Sequence, residues 1–234
     1  METGFRFNGT LQDRIRSYGE YVAASMDMIE HAATDPLSFA CESALISGED
    51  PDRIPWPGKY KEYQEVDMPW ITEFKINDVM LADSCIKSRG RRGNILDPVI
   101  INMPLCRNRQ YAKWRTSTYL GTRTGFPAPN YAKELVRRWQ RVVMVGARSL
   151  AGASKRDRIV FAWTMHDAFI CIQPFKDGNE RTARLLLQVI RRELDLEPVF
   201  ISRDDMTLHR ERIRLFRKEV FMPLMRKYKY ISDM

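Results

Sequence analysis

Cysteine and histidine are scarce in this chain of 234 residues, which contains four cysteines and three histidines. The cysteines lie far apart in sequence, and none belongs to a Cys-x-x-Cys pair. This spacing indicates reduced, mostly buried thiols in a cytoplasmic protein and excludes a disulfide framework. Because the histidines do not cluster, a zinc site is not expected.

Long apolar runs are also missing. No stretch approaches the roughly 18 apolar residues that a membrane-spanning helix needs, and the N-terminal sequence METGFRFNGTLQDRIRSYGEY lacks the apolar region of a secretory signal. Hydrophobic residues make up 44% of the chain and charged residues 29%, as in ordinary globular proteins. We therefore expect a cytoplasmic protein without membrane contact, and delivery into another cell as an effector stays open.

Negative charge is in the minority, since the formal net charge is +8 and the pI is about 9.4. An excess of Arg and Lys favours anionic partners such as nucleotides, nucleic acids or acidic proteins. The alternative is solvated helix faces whose Arg stems cover apolar surface. No zinc finger or RNP-type aromatic motif accompanies the charge, so nucleic-acid binding is not expected.

Helical periodicity dominates the remaining pattern, with Pro or Gly at the ends of most segments. The exception is about 95–125, where a run rich in Tyr, Trp and Thr ends in glycines and indicates a hairpin. Asn130 is the expected N-cap of the following helix because prolines precede it. We expect a mostly α fold, with helices over about 10–33, 37–46, 71–88 and from near Asn130, Asp157, Asn179 and Asp205.

A proline-punctuated connector over 49–70 divides this pattern. It predicts an N-terminal helical arm over 1–70 and a core over 71–234. The core contains the most informative stretch, QPFKDGNERTAR, which runs from Gln173 to Arg184 between two apolar helical segments.

This stretch has the features of a loop that leads into a helix. Pro174 disfavours helix at Gln173, while Gly178 and Asn179 tolerate a compact turn. A helix beginning near Asn179 directs backbone N–H groups into that turn and attracts anions.

Two arginines extend this expected anion site. Arg181 and Arg184 lie on one helical face, where both can reach anionic oxygens, and Asp177 can ligate Mg²⁺ held by phosphates. Spacing alone equally allows a plain helix–loop–helix with arginines on its surface.

QPFKDGNERTAR resembles the core motif of the Fic (Fido) family, H-x-F-x-[DE]-G-N-G-R-x-x-R. His166, Phe169 and Ile172 also stand where members often carry His, Phe and Ile. Further back, KWRTSTYLG and GFPAPNYAKELV resemble the family's β-hairpin flap and the turn and helix after it. The resemblance covers about 95–200 and implies a Fic-type helical bundle with a small β-hairpin flap at about 95–125.

The resemblance implies a nucleotidyltransferase reaction, in which the AMP part of ATP is transferred to a hydroxyl of a target protein. By position, Asp177 would bind Mg²⁺, the backbone at Gly178 would hold phosphate, Asn179 and Arg181 would bind the α- and β-phosphates, and Arg184 the γ-phosphate. The flap would align the target protein by strand addition. The flap residues concerned are Trp114, Thr116, Thr118 and Tyr119.

Two positions depart from the motif. Gln173 stands where the family has the His that takes the proton from the attacking hydroxyl, and an amide is not a base at neutral pH. Glu180 replaces the motif's second Gly and places a carboxylate beside the expected phosphates. His166 lies two helical turns back and is expected to be a packing or hydrogen-bonding residue.

An inhibitory helix is a further expectation from the resemblance. Many members carry [ST]-x-x-x-E-[GN], whose Glu pairs with the motif's second Arg. Ser38 to Ser43, within a predicted helix at about 37–46, is similar, with Ser38 and Glu42 at the matching positions and Ser43 in place of Gly or Asn. The alternative is an amphipathic helix with one exposed Glu.

The expected function is therefore an AMP-transferase-like protein that binds Mg²⁺ and ATP, or another phosphate-containing donor, but is inactive or altered, as in a pseudoenzyme. An active transferase with a different donor and a non-enzymatic protein-interaction module both stay open. So does a laboratory replacement of His at Gln173, although a trapping substitution needs only one change and leaves Glu180 unexplained.

Overall fold

The computed structural model describes residues 7–32, 97–102, 105, 114–116, 126–176, 178–201 and 205–228, with side chains in the first range described as far as Ser25. Within these ranges the chain is mostly helical, which confirms the predicted fold class. The elements are α1 (Leu11–Ile29), β1 (Glu30–Ala32), α2 (Pro98–Asn102), α3 (Pro129–Ser149), α4 (Lys155–Ile172), α5 (Asn179–Glu193), β2 (Val199–Ile201), α6 (Met206–Phe216), a π-helical turn (Arg217–Phe221) and α7 (Met222–Lys227).

Helix α4 is the centre of the bundle, and α1, α3, α5 and α6 all pack against it. Its buried residues include Trp163 and Phe169, both without solvent exposure. Gly146 lets α3 approach closely, because a Cβ at that position would collide with the ring of Phe161. A helix enclosed on several sides has little amphipathic character, so α4 reads in sequence as an almost continuous apolar run.

Two predicted helix starts differ from those in the structure. Helix α3 begins at Pro129 with Ala128 as its N-cap, so the prediction of Asn130 as N-cap is wrong. Proline is well suited to a first helical position because its missing N–H group would have no partner inside the helix. Helix α4 starts two residues before Asp157, where the Ser154 side chain accepts a hydrogen bond from the Asp157 N–H group.

The range assigned to the flap, about 95–125, is also partly wrong. Its first described part is the short helix α2, not a strand. Its other described residues include Trp114, which forms an isolated antiparallel bridge with Phe175 and is extended as predicted. Thr118 and Tyr119 lie outside the described residues, and so do the predicted helices at 37–46 and 71–88, the connector with its domain boundary, Ser38 and Glu42.

Helix α1 belongs to the same core as the motif helices. Tyr18, Tyr21 and Val22 are buried against the bundle, and the following strand β1 pairs antiparallel with β2, with Glu30 opposite Ile201. The first part of the predicted arm thus packs on the core. No helix in the described ranges is both long enough and apolar enough to cross a bilayer.

Candidate functional site

The loop between α4 and α5 has the shape that its sequence predicts. Helix α4 ends at Ile172, two residues before Pro174, and Gln173 adopts a left-handed conformation with φ 47° as the C-cap. The Gln173 N–H group donates to the Phe169 carbonyl at 3.3 Å. Left-handed backbone is unusual for Gln and is found more often for Asn, Asp and His. The position of the family's catalytic His therefore has a backbone conformation that a His side chain readily tolerates.

Gly178 begins the second half of the loop as the N-cap of α5, with φ 75°. A Cβ atom there would lie 2.8 Å from Asn102 Nδ2. Asn102 is fully buried and donates from that atom to Thr182 Oγ1 at 3.0 Å. Thr182 Oγ1 in turn donates to the Gly178 carbonyl at 2.8 Å. Helix α2 therefore supports the loop from behind and leaves no space for a side chain.

Gly178→Ala is expected to destabilise the fold by about 2 kcal/mol, because left-handed backbone is strained for Ala and Asn102 must move. Thermal unfolding should show a midpoint lower by about 4–8 °C for a domain of this size. Gly152→Ala is the matched control, since a Cβ there meets nothing within 4 Å. An unchanged midpoint for Gly178→Ala would contradict this description of the loop.

Asn179 closes the turn through its side chain. Its Oδ1 accepts from the Phe175 N–H group at 2.9 Å, and its Nδ2 donates to the Phe175 carbonyl at 2.8 Å. Phe175 is fully buried, so it turns inward as predicted. These bonds give Asn179 a structural role in the loop, and its phosphate-binding role stays a prediction.

One described piece of the predicted flap, residues 114–116, lies beside this loop. The centroids of the Trp114 and Phe175 rings are 5.4 Å apart. The Arg115 N–H group donates to the Pro174 carbonyl at 2.9 Å. Thr116 is exposed. The flap segment and the motif loop are thus joined by an antiparallel backbone contact.

Arg115 is a site residue that the sequence reasoning missed. Its side chain is buried and donates from Nε to the Gln173 carbonyl at 2.6 Å and from Nη2 to the Ile172 carbonyl at 3.4 Å and to the Pro127 carbonyl. A helix C-terminus presents unpaired carbonyl groups that attract an Arg. The sequence offers only the Trp-Arg pair in the flap as a signal, and it does not say which helix end that Arg reaches.

The two motif arginines lie at the start of α5 and are both buried, with exposures of 7% for Arg181 and 2% for Arg184. Burial lowers the pKa of Arg184 to about 10, Glu180 opposes that shift, and Arg181 adds to it. Arg184 therefore stays charged at neutral pH. The structure brings together two cations at the N-terminus of a 15-residue helix, as an anion site requires.

Glu180 makes a direct contact with one of these cations. Its Oε2 atom lies 3.8 Å from Nη1 of Arg184, one helical turn away, and its side chain is 48% exposed. The sequence predicts repulsion between Glu180 and a bound phosphate. The structure adds that the carboxylate already pairs with the guanidinium expected to bind the phosphate.

The described residues suit an anionic group such as a phosphate. The N-terminus of α5 directs backbone N–H groups outward, and Arg181 and Arg184 supply positive charge. Asp177, the predicted Mg²⁺ ligand, lies outside the described residues. Among the described residues no group of three His, Cys, Asp or Glu side chains is placed to hold a metal.

His166 is buried in the bundle, as predicted for a packing or hydrogen-bonding residue. Its Nδ1 lies 2.8 Å from Asp167 Oδ1, and its ring packs against Trp163 and His209. Burial lowers its pKa, although Asp167 partly opposes this shift. These contacts hold the His166 ring against α6. His166 is therefore not placed to replace the base that is missing at Gln173.

Comparisons with known proteins agree with this geometry. Residues 102–190 match the family model described as Fic/DOC family. A Fic domain containing signaling protein from Bacteroides thetaiotaomicron is similar in structure, with a TM-score of 0.57 and 14% identity over 88% of this chain and 81% of that chain. Fic-1 from C. elegans has a TM-score of 0.52 and 15% identity over 89% of this chain and 68% of that chain.

At these identities, the structural likenesses establish the fold. A search of curated proteins gave no match. The family model covers the flap, α3, α4, the motif loop and most of α5. Residues 102–190 of this chain therefore match the Fic/DOC family model, and the described residues share the fold of Fic-domain proteins.

Proposed function

We propose that this protein binds a nucleoside diphosphate or triphosphate with Mg²⁺ in its motif loop and has lost most of its AMP-transfer activity. The observation that carries the proposal is the contact between Glu180 and Arg184 at the N-terminus of α5, where the buried Arg181 and Arg184 lie. Gly178, Asn179, Arg181 and Arg184 keep the residue types of the Fic motif. The two departures from the motif are Gln173, at the position of the general base, and Glu180, which directly precedes Arg181.

Loss of the base accounts for a slow chemical step. A positioned general base contributes about 10²–10⁴-fold to a rate, and Gln173 can only accept or donate a hydrogen bond. Gln173 still begins the loop, and its carbonyl accepts a hydrogen bond from Arg115. It can therefore orient a hydroxyl group without removing its proton.

The Glu180 contact weakens nucleotide binding without preventing it. The carboxylate is half exposed, and solvent screening limits such an ion pair to about 1 kcal/mol. A triphosphate with Mg²⁺ offers Arg184 more negative charge than one carboxylate and can displace it. Nucleotide affinity is therefore reduced by about tenfold or less.

The metal ion would neutralise phosphate charge at the site. Asp177 is the residue we assign to it, because Mg²⁺ in nucleotide sites takes one or two carboxylates together with phosphate oxygens. The target protein would approach along the flap, where Trp114 is extended beside the loop.

Calorimetry with ATP and Mg²⁺ tests the phosphate site. We expect Glu180→Gln to bind ATP about five- to tenfold more tightly than the unchanged chain, because it removes the competing charge and keeps the side-chain shape. Glu193→Gln, at the exposed far end of α5, is the matched control. Failure of all three proteins to bind would refute the phosphate site and favour a non-enzymatic interaction module.

A further inference from the structure

A groove of about 740 Å³ lies between α2 and α3, apart from the phosphate site. Asp97, Pro98 and Val99 form one wall, and Trp114 lies at the end nearest the motif loop. One face of α3 forms the other wall, which includes Lys133, Arg137, Arg141, Met144, Val145 and Arg148. Nothing in the Fic motif accounts for this groove.

The α3 wall carries a row of cations. Lys133, Arg137 and Arg141 recur every four residues and therefore stand about 6 Å apart along one side of the helix. All three are exposed, as is Arg148 further along. In the part of the chain that the structure describes, none of these four makes an ion pair, whereas the neighbouring Arg138 pairs with Glu134 at 2.6 Å.

Apolar side chains lie between these cations. Met144 and Val145 line the groove and are 50% and 59% exposed. Val99 and Trp114 face them from the other side. Exposed apolar side chains within a charged rim are characteristic of surfaces that bind protein.

We propose that this groove binds an extended, acidic segment of a partner protein. Alternate side chains of an extended chain lie on one side and about 6.7 Å apart, close to the spacing of the cations on α3. Asp or Glu at alternate positions can therefore meet Lys133, Arg137 and Arg141 in succession. The residues between them point away from α3 and place apolar side chains toward Val99 and Trp114 on the other side of the groove.

Two other occupants fit the groove less well. A second copy of this chain would bring a net charge of +8 toward a basic face. Single-stranded nucleic acid is held largely by aromatic stacking, and Trp114 is the one aromatic residue among the described residues that line the groove.

The groove adjoins the phosphate site through Trp114, whose ring contacts Phe175 in the motif loop. A partner segment held here would lie next to the flap. The proposal does not depend on AMP transfer, because binding of the segment can be measured without nucleotide.

The test uses the full chain and fluorescence anisotropy with three labelled probes. The first is a peptide of about eight alternating Asp and Leu residues, long enough for the about 22 Å between residues 133 and 148. The second has the same composition with all its acids at one end. The third is a deoxythymidine oligonucleotide of matched length. We expect the alternating peptide to bind most tightly, with an affinity that falls as salt rises.

Charge reversal locates the binding. Arg137→Glu with Arg141→Glu should weaken binding of the alternating peptide by at least about tenfold. Arg156→Glu with Arg226→Glu changes the net charge equally at exposed positions outside the groove and should leave binding within about twofold. Circular dichroism checks that both double variants are folded.

Three results would overturn the proposal. The first is no binding of the alternating peptide, and the second is an equal loss of peptide affinity in the two double variants. The third is tighter binding of the oligonucleotide than of the peptide, weakened in the same way by Arg137→Glu with Arg141→Glu. Self-association of the chain that Arg137→Glu with Arg141→Glu abolishes would assign the groove to a second copy instead. Failure of the chain to bind ATP would not affect the test of peptide binding in the groove.

Discussion

Gln173→His combined with Glu180→Gly is expected to raise AMP transfer to protein by about 10²–10⁴-fold over the unchanged chain. The first change restores a group that can take the hydroxyl proton. The second removes the carboxylate that lies 3.8 Å from Arg184. The left-handed backbone at Gln173 accepts a His side chain without rearrangement. Incorporation of label from ATP carrying a labelled α-phosphate measures the rate, on the protein itself and on lysate proteins.

The single variants separate the two defects. Gln173→His should act mainly on kcat, because a base works in the transition state, and Glu180→Gly mainly on KM, because its carboxylate competes with bound phosphate. Gln173→Asn is the control, since Asn also tolerates left-handed backbone but supplies no base. If the unchanged chain already transfers AMP as fast as the double variant, the proposed loss of chemistry is wrong.

Asp167→Asn is expected to destabilise the fold by about 3–5 kcal/mol, the usual cost of leaving one member of a buried ion pair without its counter-charge. Asp167 is fully buried and accepts two hydrogen bonds from Arg212, from Nε at 2.8 Å and from Nη2 at 3.0 Å. It also accepts from the Tyr18 hydroxyl group. The carboxylate thus links α4 to α1 and α6. Urea unfolding at neutral pH measures the loss, with exposed Asp195→Asn as the control.

The pH dependence gives this prediction a second measurement. Burial raises the pKa of Asp167, but Arg212 and His166 outweigh it and hold the pKa well below its usual range. Because the folded pKa is depressed, the stabilisation is complete above about pH 4 and is lost as the pH falls below it. The free energies of unfolding of the unchanged chain and Asp167→Asn should therefore converge in acid. A constant difference down to the acid transition would mean that the charge is not responsible.

The local features of the site were predictable because each depends on a few neighbouring residues. Pro174 ends α4, Gly178 takes positive φ, and α5 begins at Asn179, all as short-range sterics require. The inward turn of Phe175 also follows from its large apolar side chain in a loop of mostly polar residues. The predicted start of α3 was wrong, although it also depends on a few neighbouring residues. Pro129 was interpreted as a residue that blocks helix, whereas proline suits the first turn of a helix.

Contacts between distant segments were not predictable. Arg115 was one of many basic residues in the sequence, and only the tertiary structure places it on the carbonyls of Gln173 and Ile172. In the sequence Asp167 is distinguished only by its place next to His166, whereas the fold pairs it with Arg212, 45 residues away.

The sequence by itself determined the mostly helical class, the turn between α4 and α5 and the two departures from the motif, since these depend on residue type, periodicity and turn sterics. Only the tertiary structure decided that Glu180 pairs with Arg184, that α2 supports Gly178, and that exposed cations on α3 line a groove beside Trp114. Such contacts depend on how helices pack in space, and a one-dimensional pattern does not specify which faces meet.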